Sequence, residues 1–116
     1  MLSRLLAELP QEKLRRQVQE AKDAPARLPQ VAFVGFKTDQ IAVVVDKLHG
    51  KIRVDVVNQN RARFDSQADI IIMWRKFVTH SIRESIIANM KRGARLIEFN
   101  GGLENAAKEI ERALRL

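Results

Sequence analysis

The stretch Val31-Ala32-Phe33-Val34-Gly35-Phe36 decides the fold, because it holds no charged side chain and no polar one. A strand with one wet face alternates apolar and polar residues, so a short continuous apolar run reads as a strand covered on both faces. Such strands belong to parallel sheets with helices above and below. Outward from there, Ile41, Val44, Val45 and Leu48 lie at helical spacing, and His49-Gly50 ends that helix. Ile52, Val54 and Val56 alternate with Arg53 and Asp55, as on a half-exposed edge strand. Ala68-Asp69-Ile70-Ile71-Ile72-Met73-Trp74 is a second doubly buried run. Ile82, Ile86, Ile87 and Met90 stripe a helix that runs towards Gly93. Arg95-Leu96-Ile97-Glu98-Phe99 is a more amphipathic strand. Leu103, Ala106, Ala107, Ile110, Ala113 and Leu114 complete a last helix. With strands one and three central and right-handed crossovers, the expected sheet order is 2-1-3-4, all parallel. That is a small, three-layer, doubly wound α/β domain of Rossmann-like type. The link from Asn58 to Gln67 is short for a crossover and lacks a helical stripe. It reads as a loop or a single turn.

Residues 1–24 differ from this pattern. Leu2, Leu5, Leu6 and Leu9 lie at helical spacing, Pro10 interrupts or starts a second helix, and Leu14, Val18 and Ala21 continue the stripe. This is an amphipathic helical arm, joined by a proline-containing linker over 25–30 to the α/β domain over 31–116. The arm either packs on its own sheet or pairs with a second subunit or another protein.

A chain of 116 residues has room for one core. It contains no cysteine, which excludes disulfides, thiolate metal sites and thiol catalysis, and points to the cytoplasm for so small a domain. Met1 to Leu9 is short and broken by Arg4 and Glu8, so it reads as neither signal peptide nor membrane span. The net charge is +7, and residues 61–102 carry eight basic against four acidic side chains, more than half of the excess. Such a balance favours anionic partners, although a solvated basic surface kept for solubility explains the charge equally well.

In an open parallel sheet, ligands bind at the carboxyl ends of the strands where the order reverses. Here that is between strands one and three. Lys37 leaves strand one, and Arg75, Lys76, Thr79 and His80 leave strand three. Asn100, Gly101 and Gly102 leave strand four, while Arg61 and Arg63 leave strand two. Three helix N-termini share that rim and offer unpaired N–H groups. The expected ligand-binding set is therefore Lys37, Arg75, Lys76, Thr79, His80, Asn100, Gly101 and Gly102, with Arg61 and Arg63 as nucleic-acid contacts. No G-x-G-x-x-G or phosphate-loop motif is present. Thr79 is also a good helix cap on its own account, and Gly101-Gly102 a turn.

Catalysis finds little support, and no catalytic residue, metal ligand or cofactor is assigned. His80 lacks an evident acid partner, and His49 falls on the opposite rim. Trp74 is placed to stack on a base or to extend the core. With 5% aromatics and no tyrosine, composition does not suggest an aromatic platform.

Val78-Thr79-His80 before a helix, and Gly101-Gly102-Leu103 opening the last one, resemble two turns of a family of uncharacterised bacterial domains, domain of unknown function 2325. That family carries a V-S-H turn after its third strand and a small-Gly-Leu turn before its last helix. The resemblance spans about Val31 to Leu116. It implies a Rossmann-like fold and a site around His80, but no established reaction. The family's paired glycines after strand one are reduced here to Gly35, and Lys76-Phe77 replace its Asp-Cys. The function expected is binding or regulation through a phosphate-bearing ligand, a nucleotide or nucleic acid. The alternative is a protein-interaction or oligomerisation scaffold without a small-molecule ligand, assembled through the N-terminal arm.

Overall fold

The computed structural model describes residues 10–57 and 67–115. Its elements in chain order are α1 (Pro10–Lys22), β1 (Gln30–Val34), α2 (Thr38–Lys47), β2 (Arg53–Val56), β3 (Ile70–Trp74), a 3₁₀ turn (Arg75–Phe77), α3 (His80–Asn89), β4 (Arg95–Phe99) and α4 (Leu103–Leu114). The four strands form one parallel sheet in the order β2-β1-β3-β4. The doubly apolar runs are the central strands, as their composition requires, since only a central strand has helices on both faces and a neighbour on both edges.

Alternation along the strands builds two cores. Val31, Phe33, Val54, Ile70, Ile72 and Phe99 face one side, where α1, α2 and α4 cover them with Val18, Ile41, Val44 and Ile110. Ala32, Val34, Ile71 and Met73 face the other, against Ile86 of α3 and Ala68. The register pairs Phe33 with Ile72 and Trp74 with Phe99, so the bulkiest side chains meet at the carboxyl ends.

Pro10 starts a helix, which suits a residue lacking the N–H that a first turn leaves unpaired. The described part of the arm packs on its own domain: Val18 and Ala21 join the main core, and Leu14 packs against it. Leu2, Leu5, Leu6 and Leu9, on which pairing with a partner rests, lie outside the described residues, as do Arg61, Arg63 and most of the 58–67 link.

Two expectations need adjusting. Ala68 and Asp69 precede β3 and do not belong to its ladder, because the Asp69 carboxylate turns back to accept from the Gln30 N–H at 2.9 Å. Ile87 does not face the sheet and is 41% exposed. A helical neighbour of the buried Ile86 points about 100° away from it. No helix among the described residues is long and apolar enough to cross a membrane.

Candidate functional site

Strand β1 ends at Gly35, whose φ of +86° lies in the left-handed region. A Cβ built there would stand 3.0 Å from Val78 Cγ2 and 3.2 Å from the Trp74 carbonyl. The exit from β1 therefore lies directly against the turn that leaves β3. Phe36 then inserts its ring 5.1 Å from Trp74 and 5.7 Å from Phe99. Glycine and aromatic together fill the crevice between β1 and β3, where the strand order reverses and where the sequence led us to expect the site.

The open cleft lies one strand further along, over the ends of β3 and β4. It measures about 840 Å³ and is lined by Trp74, Arg75, Lys76, Phe77, Glu98, Asn100 and Gly101. Four of the expected ligand-binding residues are thus brought together: Arg75, Lys76, Asn100 and Gly101. The other four do not line it. The Lys37 N–H donates to Gln40 Oε1 at 2.8 Å at the start of α2. Thr79 caps α3, its Oγ1 accepting from the Ile82 N–H at 3.2 Å. His80 Nε2 lies 2.8 Å from Glu84 Oε1 on the solvent face of α3. Glu84 is an acid partner that the sequence reading had not found for it. The two side chains are exposed, and no nucleophile is described beside them. Gly102 precedes α4 without a capping side chain.

Two residues absent from the expected set organise the cleft. Glu98 sits on β4 with its side chain towards α3, and Arg83 comes down from α3 to meet it. Glu98 Oε1 accepts from Arg83 Nε and from Arg75 Nη1, the latter at 3.0 Å, while Oε2 accepts from Arg83 Nη2 at 3.2 Å. The Arg83 hydrogen bond, helped by the Arg75 one and opposed by partial burial, holds the Glu98 carboxyl below its ordinary value. One carboxylate between two guanidiniums leaves a net positive charge. It also fixes the Arg75 guanidinium at the cleft wall while 47% of its side chain stays in solvent. A glutamate on an edge strand gives no such signal in sequence. Its partners lie 15 and 23 residues away, and only the sheet register brings them together.

At the turn from β4 to α4, Gly101 has φ +137°, and a Cβ there would stand 3.2 Å from Asn105 Nδ2. Lys76 Nζ lies 5.8 Å from the Phe77 ring centroid at the cleft mouth. The N-terminal rim carries a second cleft, lined in part by Gln17, Glu20, Asp46 and His49, whose acidic groups disfavour an anion. No group of three or more histidines and acids is set to hold a metal among the described residues. Comparison with protein-family models, with curated proteins and with solved structures finds no match for this chain.

Proposed function

We propose that the cleft over β3 and β4 binds a phosphate-bearing ligand, a nucleotide or nucleic acid. The observation that carries this is the Arg75–Glu98–Arg83 arrangement with Lys76 beside it. A guanidinium held in place by a carboxylate loses less freedom when it grips a phosphate than a free one does. The likeness to domain of unknown function 2325 supports the same end of the sheet, through Val78-Thr79-His80 and Gly101-Gly102-Leu103. The absence of cysteine favours a cytoplasmic setting.

The scaffold reading has one observation in its favour: Val43, 37% exposed, lines a groove with Pro10 and Leu14 between α1 and α2. Salt separates the two. Titration against duplex DNA, RNA and common nucleotides at two salt concentrations should show affinity falling by roughly 0.9 log units per log unit of salt for each duplex phosphate contacted. Arg75→Ala with Lys76→Ala should weaken binding about tenfold, as loss of one charge-assisted contact does. The control pair is Arg27→Ala with Lys51→Ala, exposed residues preceding β1 and β2. Lys47 is unsuitable as a control because its Nζ lies 3.6 Å from Glu104 Oε1, at the start of α4. Equal losses from both pairs would reduce the protein to a diffuse polycation.

A further inference from the structure

The chain has five phenylalanines, one tryptophan and no tyrosine. All but Phe64, which lies outside the described residues, meet in one cluster at the carboxyl ends of β1, β3 and β4. Phe33 meets Phe36 edge-on at 5.2 Å, Phe99 stacks on Trp74 at 5.4 Å, and Trp74 meets Phe77 edge-on at 5.1 Å. Phe33 and Phe99 are buried, Phe36 and Trp74 are intermediate, and Phe77 is 49% exposed. Core building accounts for the inner rings. It does not account for a phenylalanine braced by tryptophan at the mouth of a cationic cleft.

We infer that the occupant of the cleft is single-stranded nucleic acid, with a base stacked against Phe77 and Trp74 and flanking phosphates on Arg75 and Lys76. This rests on the reading of the cleft as a phosphate-ligand site and narrows its ligand class. Three observations favour it. The turn Trp74-Arg75-Lys76-Phe77 sets two cations between two rings, matching a strand in which phosphates flank each base. The cleft is an open trough, whereas a mononucleotide site encloses most of its ligand. A strand needs no enclosure, because it gathers affinity over several units. Glu98, ionised on the trough wall, disfavours phosphates inside it and leaves them to the basic lip. A duplex keeps its bases stacked on one another and cannot offer one to Phe77.

Trp74 is the only tryptophan, so its emission reports on the cleft directly. The full chain should be titrated with oligo(dT) of about 12 nucleotides, within the range of single-strand site sizes. Parallel titrations use the matching duplex and inorganic polyphosphate of equal charge. Oligo(dT) is expected to quench Trp74 and to bind more tightly than either, and polyphosphate to leave the emission unchanged. Phe77→Leu keeps apolar bulk without a ring, and should lose about tenfold in oligo(dT) affinity. Phe77→Trp should retain it, both followed by anisotropy of a labelled strand. Unchanged thermal midpoints would show that the exposed position leaves the fold intact. Polyphosphate or duplex binding as tightly as oligo(dT), or full affinity in Phe77→Leu, overturns the stacking inference and leaves the phosphate reading standing. Failure of every anion to bind overturns both.

Discussion

At the scale of single residues, Gly35 and Thr79 show how a position near the cleft shapes it without touching a ligand. Gly35 is needed twice over, for its left-handed φ and for the absent Cβ that lets the β1 exit lie on the turn after β3. Gly35→Ala should cost about 1–2 kcal/mol from the backbone alone, before the contact with Val78 is counted. A urea titration of wild type and variant measures this, and a loss under a few tenths would show that the turn moves freely. Thr79 answers a different question, since its hydroxyl is a helix cap in the structure and a ligand contact in the sequence reading. Thr79→Ala should lower stability by about 1 kcal/mol and leave anion affinity unchanged. A drop in affinity at constant stability would return Thr79 to the site.

At the scale of elements, the turn Arg75–Phe77 decides where a ligand can go. It follows a fully buried strand, and its three residues show the helical reach of neither α2 nor α3. Folded back over Gly35, it closes the switch point and opens the trough towards β4. α3 then contributes Arg83, so the second face of the sheet supplies a charge to a cleft whose rings come from the first. The N-terminal helix is likewise more than an arm. Val18 and Ala21 are almost fully buried in the main core, so removing residues 1–24 takes apolar surface from that core.

Across the whole molecule, two carboxylates tie the ends of the sheet. At the amino ends, Asp69 accepts from Lys91 Nζ at 2.6 Å and from the Gln30 N–H at 2.9 Å, which together hold its carboxyl below the ordinary value against partial burial. At the carboxyl ends, Glu98 is held down by Arg83 and Arg75. Both groups bind protons less readily folded than unfolded. Their contribution to stability is therefore complete above the unfolded values, 3.8 for Asp69 and 4.5 for Glu98, and is lost as pH falls through the lower folded ones. Urea midpoints should hold steady from about pH 7 to pH 5 and fall below that. Asp69→Asn with Glu98→Gln should flatten the acid limb while lowering the midpoint at neutral pH. An acid limb as steep as wild type would assign the loss to other carboxylates.

The sequence by itself determined the layers, the strand order and the face of each buried residue. These follow from local periodicity, and the runs at 31–36 and 68–74 leave only the centre of a parallel sheet as a place to be dry on both sides. It also placed Arg75, Lys76, Asn100 and Gly101 on one rim, because a parallel sheet puts every strand exit at the same end. Which exits face a common cleft was decided only in three dimensions. The ring of Phe36 and the missing side chain of Gly35 close the expected crevice, and neither effect has a period to read. Glu98 carried no signal because a carboxylate on an edge strand ordinarily points to water. Only the register of β4 against β3 and the packing of α3 set two arginines around it, and the same packing gathers a 5% aromatic content into one cluster. Composition measures how many rings a chain has, and tertiary structure decides whether they meet.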